Sequence, residues 1–145
     1  MARQEPHTRA DYPVFQTIST RWMDNDVYGH VNNVVYYSYF DTAVNGYLMA
    51  QGVLDFRAGQ TVGLVVETGC QFFAPIAFPD KVNAGIRVQK IGTSSVRYEV
   101  GLFANDDPSA AAQGHFVHVY VSAADHRPMP LPEDFQAALA PLRNR

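Results

Sequence analysis

The chain has 145 residues, a formal net charge of −3 and a single cysteine, Cys70. This length predicts one domain with one core. One cysteine can form neither an intramolecular disulfide nor a Cys-rich zinc site. Charged residues make up only 17% of the chain, where roughly 25% is typical, so we expect some surface to face another subunit. No cluster of Lys and Arg points to a nucleic-acid partner.

The N-terminal end of the chain is polar. It lacks the apolar stretch of a secretory signal, and no apolar run approaches the ~20 residues that a membrane-spanning helix needs. We therefore expect a polar lead-in over residues 1–13, a single domain over residues 14–145, a cytoplasmic location and no membrane partner.

Hydrophobic periodicity predicts one strand, one long helix and then four more strands. Residues 14–22 alternate as strand residues do. Residues 33–51 carry an apolar stripe at helical spacing, with Asn32 or Asn33 as a cap at the start and Gly52 at the end. After a loop at residues 56–60, strand-like runs cover residues 61–73, 81–91, 94–104 and 113–123.

The predicted helix is apolar on nearly all sides, which favours deep burial. Because the connections between successive strands are short, we expect antiparallel neighbours. The pattern predicts an α+β fold in which an antiparallel sheet of five to six strands wraps around one long buried helix. A final segment, residues 132–142, has helical spacing, although Pro141 makes its last turn doubtful.

The most unusual local sequence lies between the first strand and the helix. Because the first N–H groups of a helix lack internal partners and carry partial positive charge, they can stabilise an oxyanion. A carboxylate nearby can act as a base on water or attack a carbonyl carbon. The polar residues of this segment are Asp24, Asp26, His30, Asn32 and Asn33.

This segment has two other interpretations. Asp24, Asp26 and Gly29 match three positions of an EF-hand calcium loop, but Tyr28 and Val35 stand where that loop needs ligands. This argues against calcium. The same carboxylates and amides can also cap turns and the helix start, and from the residues alone this structural alternative stays open.

A resemblance to a known family bears on this choice. Residues 24–33, followed by Tyr36 and the Tyr-Phe-Asp triplet at residues 39–41, resemble the signature of hotdog-fold acyl thioesterases. They are most similar to the 4-hydroxybenzoyl-CoA thioesterase type. The core Asp-x-Asp-x-x-x-His-Val-Asn-Asn also resembles acyl-ACP thioesterases. The order of elements extends the resemblance over roughly residues 14–123.

The resemblance implies a hotdog fold and hydrolysis of an acyl-CoA without a cofactor. It implies Asp26 as nucleophile or general base and the backbone N–H of Asn33 as oxyanion donor. We expect substrate contacts from Gly29, Asn32 and Tyr36. The resemblance further implies dimers whose sheets join edge to edge, often paired into tetramers, with acyl-CoA (or acyl-ACP) bound along the subunit interface.

Other candidate residues have a structural alternative. His30 can orient water or contact Asp26, or it can simply hold the turn. Glu67 can supply a second carboxylate across a dimer, or it can be a paired surface residue. Asp41 is expected to be structural or to contact a subunit, and Cys70 to be a small buried residue.

No metal site is predicted, because His115 and His118 are three apart on a strand and point to opposite faces. Signatures of serine hydrolases and nucleotide-binding folds are missing from the sequence. An enoyl-CoA hydratase is a weak rival, because its motif needs Asp and His five apart, whereas His30 lies four residues after Asp26 and six after Asp24. A non-catalytic module that binds an acyl thioester or a protein is the second rival.

Overall fold

The computed structural model describes residues 4–54 and 60–143. Within these residues the chain forms one antiparallel sheet and two α-helices. The predicted loop at residues 56–60 lies outside the described residues except for its last position, as do residues 1–3 and 144–145. The elements are β1 Val14–Ser19, α1 Asn33–Ala50, β2 Thr61–Phe72, β3 Lys81–Ile91, β4 Ser95–Ala104, β5 Ala112–Ser122 and α2 Glu133–Leu139.

The sheet has five strands in the order β1-β3-β4-β5-β2, and all neighbours are antiparallel. The predicted antiparallel sheet and the helix are thus both found. The first strand is shorter than predicted because Trp22–Asp24 forms a 3-10 turn. The last segment behaves as Pro141 suggested, since α2 gives way to a 3-10 turn at Ala140–Leu142.

One face of α1 packs against the sheet, and we call the side of the sheet that it covers the inner face. The other face of the helix is open, with Val34 64% exposed and Met49 46% exposed. The prediction of burial on all sides is therefore wrong for a single chain, because one sheet covers only one side of a helix. The buried residues of α1 are Tyr36, Tyr39, Phe40, Ala43, Val44, Tyr47 and Leu48. In the described part of the chain, no helix combines the length and hydrophobicity needed to cross a bilayer.

The described part of the N-terminal segment lies on the outer face of the sheet. Tyr12 is buried there, and its ring fills the space above Gly85 and Gly101, where a Cβ would come within 2.6 Å of ring atoms. The guanidinium of Arg9 donates hydrogen bonds to Asn83 and to two loop carbonyls. This segment therefore shields part of the outer face.

The inner face carries one polar group with an incomplete set of partners. His118 is only 2% exposed, and its Nδ1 lies 3.0 Å from the hydroxyl of Tyr120, which lies 2.8 Å from that of Tyr98. The other ring nitrogen, Nε2, is buried without a hydrogen-bond partner among the described residues. Burial lowers the pKa of His118 to about 4, so the ring is neutral at pH 7.

This burial predicts a loss of stability between pH 6.5 and about 4. In this window the unfolded chain binds a proton at His118 and the folded chain does not, so acidification favours unfolding. At about 1.4 kcal/mol per pH unit, the contribution reaches at most about 3.5 kcal/mol. In urea unfolding at constant protein concentration, the free energy of unfolding should depend less on pH for His118→Phe than for the wild type. The same pH dependence in both proteins would contradict the prediction.

Candidate active site

A tight loop between the 3-10 turn and α1 carries Asp26. The N–H of Asp26 donates to the carbonyl of His30 (2.9 Å), and the N–H of Gly29 donates to the carbonyl of Asp26 (3.0 Å). Gly29 has φ +83°, a left-handed conformation that glycine adopts without strain. Asp26 Oδ1 accepts the N–H of Tyr28 at 2.9 Å. Its second carboxylate oxygen has no hydrogen-bond partner in the described part of the chain and is open to a ligand.

The start of α1 presents an open backbone donor. Asn32 is the N-cap, as predicted, and its side-chain oxygen accepts the N–H of Val34 at 3.2 Å. The N–H of Val35 donates to the Asn32 carbonyl. The N–H of Asn33 bonds to none of the residues that the structure describes. Together with the partial positive charge of the helix end, this open N–H can polarise a carbonyl oxygen.

Two cavities flank this loop. The first, about 250 Å³, is lined by Asp26 and Gly29 together with apolar side chains, among them Trp22, which is 82% exposed. The second, about 320 Å³, holds His30 and Asn33. Gly29 borders the first cavity, and the next residue, His30, borders the second. The remaining lining residues of the second cavity are Val31, Tyr36, Phe72, Phe73, Ala74 and Pro75.

Tyr36 forms the aromatic wall of the second cavity. Its ring lies 4.9 Å from that of Phe72 in an edge-on contact. Burial raises the pKa of the Tyr36 phenol, which is therefore neutral at pH 7. The predicted substrate contact at Tyr36 thus lies in the same cavity as the Asn33 N–H. A ligand carbonyl bound there would have apolar surroundings.

The other aspartate of the pair, Asp24, has a very different environment. It is 1% exposed and accepts hydrogen bonds from the Tyr39 hydroxyl (2.8 Å), from the Arg21 N–H (2.8 Å) and from the Arg21 guanidinium. Burial by itself would raise the pKa of Asp24, but these hydrogen bonds hold it below its usual value. Asp24 lines neither cavity. Both of its carboxylate oxygens accept hydrogen bonds, which fix its position.

Glu67 lies apart from both cavities. It is on the outer face of the sheet, where its carboxylate is 3.1 Å from the guanidinium of Arg97 and 2.8 Å from Nε2 of His115. The cause is a β-bulge between Val65 and Glu67, which reverses the alternation of faces along β2. A single chain therefore does not bring Glu67 to Asp26.

The remaining candidates do not contact the Asp26 carboxylate by any hydrogen bond between the described residues. His30 lines the second cavity, but its hydrogen bond with Asp26 is made by its backbone carbonyl. Asp41 is exposed and accepts a hydrogen bond from Asn45. Burial raises the pKa of Cys70 to about 12, so its thiol is a poor nucleophile. Among the described residues, no three His, Cys, Asp or Glu side chains could hold a metal ion.

Sequence reasoning assigned no role at this site to four residues around it. Arg21 and Tyr39 surround Asp24, and Phe72 and Phe73 complete the second cavity. Arg21 could have been found from its spacing, since an i,i+3 pair with Asp24 falls on one side of a turn. Phe72 and Phe73 could not, because they come from a distant strand end.

Solved structures share the fold of this chain. The crystal structure of the PA5185 protein from Pseudomonas aeruginosa has a TM-score of 0.94 to this chain. The two sequences are 50% identical, over 97% of this chain and 98% of that one. A thioesterase from Thermus thermophilus, solved in complex with coenzyme A and zinc, is 33% identical, with a TM-score of 0.74 and coverage of 91% and 95%.

Sequence comparison identifies the family. The uncharacterized protein YsmA of Bacillus subtilis is 22% identical over 88 residues, a stretch that spans 61% of this chain and 59% of YsmA. Residues 20–139 match the family model of the thioesterase-like superfamily. Because this match includes most of the chain, and both cavities described above, the protein belongs to the thioesterase-like superfamily.

Proposed function

We propose that this protein hydrolyses acyl-CoA thioesters to the free acid and coenzyme A. The observation that carries the proposal is an open backbone N–H at Asn33, which lines a largely apolar cavity, together with a free carboxylate oxygen on Asp26, which lines the other cavity. Thioester hydrolysis needs an oxyanion donor and one carboxylate more than a strong general acid, because a thiolate leaves readily. Both groups come from one short segment.

The reaction follows from these two groups. The thioester oxygen accepts a hydrogen bond from the Asn33 N–H, which polarises the carbonyl. Asp26 then either removes a proton from water as it adds to the carbonyl carbon, or attacks that carbon itself to form an anhydride that water opens. In both routes the carbon–sulfur bond breaks, and the thiolate leaves as coenzyme A. We assign the orientation of the water to His30, because it lines the same cavity as Asn33.

The motif also suggests the finer classification. We propose a hotdog fold of the 4-hydroxybenzoyl-CoA thioesterase type, with acyl carrier protein as the alternative carrier. Gly29 and Asn32 shape the backbone around the thioester, and Tyr36 contacts the acyl group. The coenzyme A in the Thermus thermophilus thioesterase supports this carrier. A cytoplasmic location fits such a substrate and a chain with a single thiol.

Replacement of the catalytic carboxylate gives the direct test. Asp26→Asn keeps the shape and the Tyr28 hydrogen bond but cannot accept a proton or attack carbon. We expect kcat to fall at least about 100-fold, as removal of a general base does. Free thiol should be measured with aliphatic and aromatic acyl-CoAs and with acyl-ACP. Asp41→Asn, an exposed aspartate on α1, is the matched control and should retain activity.

Two results would contradict this proposal. Full activity of Asp26→Asn would exclude the role of Asp26. Acyl-CoA binding by the wild type without any thiol release would instead favour a non-catalytic module. A single turnover in labelled water separates general-base attack from an anhydride that water opens at the Asp26 carbonyl, because only that second route leaves an unlabelled enzyme oxygen in the product acid and puts the label on Asp26.

We also propose that the protein forms homodimers, which can pair into tetramers, through the free edge of β2. This edge strand has 12 residues, whereas the opposite edge strand, β1, has six. Its middle exposes Val65 and Val66, the latter 60% exposed, next to the single charged residue of the strand, Glu67. A long edge with exposed apolar residues and little charge is a ready site for strand pairing.

A lysine substitution on each edge strand of the sheet tests which edge pairs with a second chain. Val66→Lys should shift the protein toward monomers in sedimentation equilibrium, since Lys blocks edge pairing. Thr17→Lys places the same charge on β1 and should leave the assembly unchanged. A wild-type monomer at micromolar concentration, or equal effects of both variants, would contradict the predicted interface.

A further inference from the structure

Asp24 lies at the base of the loop that carries Asp26. Its N–H donates to the carbonyl of Arg21 at 3.0 Å, and its own carbonyl accepts the N–H of Asn32 at 2.9 Å. Asn32 is also the N-cap of α1. The backbone of Asp24 therefore joins the start of the loop to the residue that begins the helix.

The side chain of Asp24 adds a second connection, to the body of α1. Oδ2 accepts the hydroxyl of Tyr39, which lies on the buried face of the helix six residues after Asn33. The same oxygen accepts the Arg21 N–H, and Oδ1 accepts the guanidinium at 2.9 and 3.0 Å. Since Tyr39 is itself 4% exposed, packing of the core fixes the position of its hydroxyl.

We propose that Asp24 is a positioning residue which, through Tyr39, holds the Asp26 carboxylate in a fixed relation to the Asn33 N–H. The inference rests on the proposed function. It follows from the two connections above, because each links the Asp26 loop to the helix that supplies the oxyanion donor. Displacement of a reacting group by about 1 Å can cost ~100-fold in rate. Asp24 lines neither cavity, so its effect is indirect.

A matched pair of helix variants tests this role. Tyr39→Phe and Tyr47→Phe each remove one buried hydroxyl from α1, but Tyr47 donates to the carbonyl of Ala138 (2.7 Å), far along the helix from the loop. We expect Tyr39→Phe to lower kcat about 5- to 20-fold, as a partial displacement would, with little change in KM. Tyr47→Phe should lower stability by a similar amount and leave kcat within about twofold.

Asp24→Asn gives a second readout. An amide presents a donor where the site needs an acceptor, so we expect a larger fall in kcat, about 100-fold. Because Asp24 and Tyr39 act through the same hydrogen bond, adding Tyr39→Phe to Asp24→Asn should cost little more. Independent, additive effects of the two substitutions would overturn the inference, as would equal kcat values for Tyr39→Phe and Tyr47→Phe.

Amide hydrogen exchange separates this inference from the proposed function. If the wild type hydrolyses no thioester, the proposed function fails, but the connection can still be measured. Tyr39→Phe should then accelerate exchange at the N–H groups of Asp26, Gly29 and Asn32 more than Tyr47→Phe does. Equal exchange in the two variants would show that Tyr39 does not hold the loop, and the inference would be wrong.

Discussion

The packing of α1 against the inner face of the sheet is the constraint on which the site depends. Phe40, Ala43 and Leu48 are fully buried in this contact, and burial of such apolar area is the main favourable term in folding. Because α1 is packed on the sheet, the first turn of the helix has a fixed position beside Phe72, at the end of β2. The open N–H of Asn33 is therefore located by the core, whereas a loop would leave it mobile.

The two aspartates of the motif lie in very different environments. Asp24 has both oxygens occupied by donors and is shielded from solvent, so it has little capacity to accept a further proton. Asp26 uses one oxygen in a local turn and lies in a cavity with Trp22. This difference supports Asp26, and not Asp24, as the reactive carboxylate. The sequence shows only that the two aspartates are two residues apart, whereas their environments distinguish them.

Local periodicity was enough to predict most of the fold. Strands, helix and caps follow from neighbouring residues, and their predicted bounds agree within one residue for β2 to β5 and α1. Features that depend on distant contacts were not accessible. The bulge that turns Glu67 away from the helix, the Tyr39 hydroxyl on Asp24 and the position of Phe72 all require the three-dimensional arrangement. Within the site, the motif indicated the reactive groups but not what holds them.

The low content of charged residues and the exposed face of α1 have a common explanation. In one chain, Val34 and Met49 on α1 and Val65 and Val66 on the β2 edge are exposed apolar residues. Exposed apolar residues on a helix face and on a long strand edge are typical of surfaces that are covered in an assembly. A second copy against the β2 edge would cover part of it, and Glu67 would then lie near the junction of two sheets. The composition and the exposed surfaces thus favour a site completed by two chains, with Asp26 and Asn33 supplied by the same one.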